Sequence, residues 1–139
     1  MLKKKKVLTI VSKDYDDLEL WYPIIRLREA GATVLVAAEK TNETYVGKSG
    51  LLVESDLAFA DVNPKEFDAI LIPGGWSPDY LRRLPDVLNI VKTMHEDNKV
   101  IGQSWHAGWV VASANILKQL EMVILYPQED RLIYHIIYP

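Results

Sequence analysis

Residues 67–76 read Phe67-Asp68-Ala69-Ile70-Leu71-Ile72-Pro73-Gly74-Gly75-Trp76. The first six, apolar except for Asp68, read as a main strand of the same kind as Lys6–Ser12, which is apolar on both faces in the pattern of a strand covered by helices on two sides rather than one facing water. Proline and two glycines then stop the strand abruptly, and the carboxyl ends of strands in α/β sheets are where ligand loops sit. Downstream, Val87, Ile90, Val91 and Met94 recur at helical spacing, Lys99–Ser104 reads as another strand, and Ala107, Val110, Val111 and Ala114 mark the helix after it. Upstream, Lys6–Ser12 and Thr33–Ala38 read as two more buried strands. Between them lies a helix that begins near Asp14, Asp16 and Asp17, acids suited to a helix N-terminus, and ends at Gly31.

That intervening helix carries two apolar stripes. Leu20, Ile24 and Leu27 form one, and Leu18, Tyr22 and Ile25 with Trp21 form the other. A helix with two stripes is either deeply buried or lends one face to another subunit. Thr41–Asp56 is polar and punctuated by glycine, so Tyr45-Val46 and Leu51-Leu52-Val53 predict a hairpin excursion, and Asn63-Pro64 starts a turn or short helix. Strand and helix alternate otherwise, which predicts an α/β, flavodoxin-like three-layer sandwich with a mostly parallel sheet.

The chain has 139 residues, a size suited to one domain spanning 1–139. Half is hydrophobic (49%) and a quarter charged (25%), with mean hydropathy −0.01, an ordinary globular balance. Sixteen basic against nineteen acidic residues give a net charge of −3, which supplies no basic field for nucleic acid. No apolar run approaches the roughly 18 residues of a membrane span, and Val7–Val11 is too short for a signal peptide. The expectation is a soluble cytoplasmic protein with no nucleic-acid or membrane partner. Cysteine is absent, which excludes disulfides, thiolate-bound metals and thiol nucleophiles.

Several motifs in one order carry a resemblance: Tyr15-Asp16-Asp17-Leu18-Glu19-Leu20-Trp21-Tyr22-Pro23, Val62-Asn63-Pro64, Phe67-Asp68-Ala69 leading to Pro73-Gly74-Gly75, and His106-Ala107-Gly108-Trp109 before Ile116-Leu117-Lys118. Over about residues 5–127 the chain resembles the DJ-1/PfpI (ThiJ/PfpI) superfamily, in particular its PfpI-like peptidase and general stress protein branch. The resemblance implies glyoxalase, deglycase, peptidase or chaperone-like roles and small carbonyl or peptide ligands. It also implies a nucleophile elbow with a cysteine on a strained turn, an acid from the first helix beside it, a following histidine, and an oxyanion loop.

Carried over position by position, the cysteine falls on Trp105 and the histidine on His106. The acid falls on Asp16, where the family usually has the longer glutamate, and the oxyanion loop on Gly74, Gly75 and the backbone of His106. Indole offers one N–H donor and no nucleophilic lone pair, so Trp105 predicts a site silent for thiol chemistry, with the indole filling the crevice. The tail, residues 128–139, does not resemble the family's continuation, so the C-terminal edge of the sheet is expected to be truncated or altered. Its aromatic run 132–138 has the character of a segment that pairs along a sheet edge.

Other side chains read as follows. Ser104 precedes the elbow and does not fit G-x-S-x-G. Asp14, Asp16, Asp17 and Glu19 lack calcium-loop spacing, and His95, His106 and His135 share no ligand spacing, so no metal and no cofactor is expected. Trp76 and Trp109 flank the presumed crevice and read first as packing residues. The partner expectation is a homo-oligomer, dimer or higher, built on the first helix; a non-catalytic interaction protein is the alternative to a silenced enzyme.

Overall fold

The computed structural model describes residues 1–117 and, as backbone only, the strands Glu121–Val123 and Tyr134–Tyr138. Its elements are β1 (Lys6–Ile10), α1 (Asp17–Glu29), β2 (Thr33–Ala38), β3 (Thr44–Val46), β4 (Leu52–Glu54), β5 (Leu57–Ala58), β6 (Ala69–Ile72), α2 (Ser77–Leu81), α3 (Pro85–Glu96), β7 (Val100–Ser104), α4 (Gly108–Ser113), β8 (Glu121–Val123) and β9 (Tyr134–Tyr138). The main sheet runs β5-β2-β1-β6-β7-β9-β8. Its first five strands are parallel, and β9 runs antiparallel to both β7 and β8. This is the predicted flavodoxin-like arrangement. Within the tail, residues 134–138 pair inside the molecule, and residues 128–133 lie outside the described residues.

Alternation along the strands explains the two layers. Leu8 and Ile10 of β1, with Ile70 and Ile72 of β6, join Val87, Ile90, Val91 and Met94 of α3 and Val110 and Val111 of α4 in one core. Val7 and Val11, with Val34 and Val36 of β2, face the other way and meet Leu20 and Ile24 of α1. Of the two stripes on α1, the Leu20–Ile24 stripe is therefore the core stripe; Leu18, Tyr22 and Ile25 are each more than half exposed. No described helix is long and apolar enough to cross a membrane.

Three features depart from the sequence expectation. The first strand stops at Ile10, with Val11 and Ser12 continuing as buried loop. Strand β5 is a two-residue edge strand too short for any periodicity to register. Helix α2 begins directly after the glycine turn, with Pro78 in its first turn, where the sequence suggested loop.

The strand order sets the place of any site. The chain leaves β1 toward β2 and β5, then returns to fill β6 and β7 on the opposite side. The order reverses between β1 and β6, so the loops after these strands diverge and leave a crevice at their carboxyl ends. The β3–β4 hairpin covers one side of that crevice and is pinned by Asp17, whose buried carboxylate accepts from the N–H groups of Ser49 (2.8 Å) and Leu51 (2.7 Å). An added Cβ at Gly47 would meet that carboxylate at 2.5 Å, so glycine is required there. Asp17→Ala leaves two backbone donors unpaired and is expected to cost about 2–4 kcal/mol in urea unfolding, with Asp17→Asn losing roughly half of that.

Candidate functional site

Two backbone turns meet at the switch point. Tyr15 and Gly75 form an antiparallel bridge, with Asp16 N–H donating to the Gly74 carbonyl (3.1 Å) and Trp76 N–H to the Asp14 carbonyl (2.9 Å). Gly75 has φ +79°, and a Cβ there would lie 2.5 Å from Asp16 N and 2.6 Å from Asp14 O, so no other residue fits. A third turn, after β7, places Trp105 at φ +44° before the short 3₁₀ turn Trp105–Ala107 and α4. A bulky residue in left-handed backbone costs about 1–2 kcal/mol, so the elbow is strained.

Glu19 joins these turns from below. Its Oε2 accepts from Gly74 N–H (2.7 Å) and from the Ser104 hydroxyl (2.5 Å). Sequence reasoning assigned Glu19 only to helix capping; no local pattern could have shown that one turn of helix carries it across to β6 and β7. Ser104 is buried with its proton committed to Glu19, so it has no geometry for attack. The Gly74 N–H is likewise taken. The bridge pattern turns Gly75 N–H away from the loop 14–16, so it is not used in that bridge.

Asp16 caps α1, accepting from Leu18 N–H (3.1 Å) and Glu19 N–H (3.2 Å), and its other oxygen lies 2.6 Å from Lys48 Nζ. It is thus the helix-terminal acid that the sequence suggested, and it also lines the crevice. Burial pushes the Asp16 carboxyl up, but the Lys48 ammonium together with the Glu19 and Leu18 N–H groups outweighs this and holds it below its ordinary value of 3.8. Lys48 is the second residue that sequence reasoning did not mark, because its position depends on the hairpin pinned by Asp17.

His106 Nδ1 lies 3.2 Å from the Gly75 carbonyl. A carbonyl only accepts, so this contact puts a proton on Nδ1 and, in the neutral ring, leaves Nε2 as the acceptor. The imidazole stacks with Trp76 (6.1 Å, 14° between planes) and with Trp109 (4.7 Å, 29°), with Trp105 edge-on (5.9 Å, 81°). Three of the four tryptophans thus surround one histidine, where the sequence suggested general packing. Trp105 does not fill the crevice as expected. Its indole is 61% exposed and stands as a wall, and a cavity of about 260 Å³ remains open between Asp16, Glu19, Lys48, Trp76, Trp105 and His106. The positive φ directs the side chain outward from the strand end, which is why its bulk leaves the space free.

Comparison with known proteins identifies the family and agrees with the fold. The sequence model described as the DJ-1/PfpI family matches residues 5–136. The chain belongs to the DJ-1/PfpI family. It is 40% identical over 113 residues to a deglycase of Thermococcus kodakarensis, covering 81% of this chain and 68% of that protein, and 35% identical over 113 residues to the deglycase PfpI of Pyrococcus furiosus, with the same coverage. Among solved structures it is similar to a two-domain protein of Anabaena variabilis containing DJ-1/ThiJ/PfpI-like and ferritin-like domains (TM-score 0.79, 33% identity, 81% of this chain and 32% of that one). It is also similar to oxidized DJ-1 of Toxoplasma gondii (TM-score 0.76, 28% identity, 84% and 65%). Within the DJ-1/PfpI fold, then, the elbow of this chain carries indole and no thiol. Of the other histidines, His95 is buried near the end of α3, and the side chain of His135 lies outside the described residues.

The lowered Asp16 pKa has a defined consequence for stability. A carboxyl whose folded pKa is depressed stabilises the fold above its unfolded pKa and loses that contribution as pH falls through the folded value. The difference in urea midpoint between the wild type and Asp16→Asn is expected to be full at pH 7, to persist to about pH 4 and to shrink below it. A difference independent of pH would show that the Lys48 pair contributes nothing.

Proposed function

We propose that this chain is a stress-response type DJ-1/PfpI protein whose glyoxalase, deglycase or peptidase-like hydrolytic site is silent. Trp105 on the elbow carries this reading. Hydrolysis through a covalent intermediate needs a nucleophile on the turn, with the helix N-terminus to stabilise its anion and N–H donors to hold the developing oxyanion. Here the turn, the helix and the Gly75 donor stand in place, and the atom that would attack is absent. His106 has no nucleophile to activate, and its Nδ1 is engaged by Gly75. Ser104 cannot substitute because it is buried and bonded to Glu19. Asp16 is one methylene shorter than the family glutamate and is drawn toward Lys48.

Methylglyoxal turnover tests this. The wild type is expected to show none, and Trp105→Cys to gain turnover that iodoacetamide abolishes, because a thiol at that position meets a helix N-terminus that favours its thiolate. Comparable turnover by both proteins would overturn the reading.

The exposed stripe on α1 favours a second reading, a non-catalytic protein that self-associates. Leu18, Tyr22 and Ile25 are 61%, 56% and 58% exposed, and Leu51 and Leu52 of the hairpin add 50% and 58% beside the N-terminus of α1. Exposed apolar residues gathered on this helix and the adjoining hairpin would suit a two-fold, self-complementary contact. Light scattering at micromolar concentration is expected to give a dimer or higher species that Tyr22→Glu converts to monomer; a strictly monomeric wild type would remove this reading.

A further inference from the structure

We propose that the crevice beside the elbow binds a small organic cation carrying an alkylated ammonium head; this rests on the reading that no thiol chemistry occupies the elbow. Trp76 and Trp105 are 60% and 61% exposed, an unusual solvent cost for two indoles on one rim. The His106 ring is nearly parallel to Trp76 and nearly perpendicular to Trp105, so the two indoles meet at close to a right angle. Trp109, also stacked on His106, helps to fix the imidazole that sets this corner. Aromatic faces carry negative charge density, and a cation placed in such a corner meets two of them at once.

The remaining side of the cavity is acidic. Asp16 and Glu19 both line it, and Lys48 is paired with Asp16 at 2.6 Å. Among the described residues Glu19 has no ion pair, so one carboxylate is left to balance a ligand charge. Its Oε2 already accepts two hydrogen bonds, which leaves few acceptors for the several donors of a bare, strongly hydrated ammonium. An alkylated ammonium asks for no such donors and presents methyl groups to the indole faces. The volume of about 260 Å³ lies below the roughly 300–1,000 Å³ of sites for drug-sized ligands and suits a small head group.

Titration calorimetry and indole fluorescence with choline, tetramethylammonium and the neutral isostere 3,3-dimethylbutan-1-ol test the proposal. Both cations are expected to bind saturably and to perturb the indole emission. The neutral isostere should bind at least about tenfold more weakly, and Trp105→Leu and Glu19→Gln should each weaken choline binding about tenfold. Trp105→Phe, which keeps a π face, should retain most of the affinity, and circular dichroism checks that each variant is folded. Equal binding of the neutral isostere, an unchanged affinity in folded Trp105→Leu, or no saturable binding of either cation overturns the proposal. Failure here leaves the absence of turnover in the wild type standing, whereas turnover by the wild type would remove the silent-site reading without altering these titrations.

Discussion

The Glu19 carboxylate holds the site together. A single oxygen takes the Gly74 N–H at the end of β6 and the Ser104 hydroxyl at the end of β7, while the helix that carries it starts from the loop after β1. Three strand ends that diverge at a switch point are thereby tied to one atom. Leaving such a half-buried carboxylate oxygen unpaired carries a cost, so its two hydrogen bonds hold the turns after β6 and β7 relative to α1. The Tyr15–Gly75 bridge adds a backbone lock between the same two loops, and Ser77 adds a third tie by accepting from Ser12 N–H at 2.8 Å.

Rigidity at this point decides how the crevice is furnished. With Gly75 held against Asp16, its carbonyl is turned to His106, and His106 in turn sets the angle between Trp76 and Trp105. Asp17 acts one layer further out, pinning the hairpin so that Lys48 reaches Asp16. The four acids at and before the start of α1 thus divide their roles by geometry. Asp14 lends its carbonyl to the bridge, Asp16 caps and pairs, Asp17 anchors the hairpin, and Glu19 ties the strand ends.

Much of the fold was legible in the sequence because its signals are local. Apolar runs such as 69–72 announce strands covered on two faces, and the glycines after them announce a sharp turn. The Leu20–Ile24 stripe was separable from Leu18–Tyr22–Ile25 by period, although which of the two faces the sheet depends on tertiary packing. The site was less legible. Asp16, Trp105, His106 and the glycine turn could be placed by resemblance, and the structure brings them to one crevice. Glu19 and Lys48 could not, because their contacts span 55 residues to Gly74 and depend on a hairpin anchored elsewhere. The outward course of the Trp105 indole was also hidden, since it follows from a backbone angle that the residue itself disfavours.

That angle bears on what a substitution at an elbow can do. Left-handed backbone at a tryptophan persists only where the surroundings over-determine it, and here a strand, a 3₁₀ turn and the Glu19–Ser104 bond fix both flanks. The shape of the elbow therefore belongs to the frame and not to the residue on it. Replacing a thiol with indole on such a frame removes the nucleophile and leaves the crevice, the carboxylates and the helix N-terminus where they were. On the proposed reading, an aromatic wall added to an intact cavity trades attack on a carbonyl for attraction toward a weakly hydrated cation.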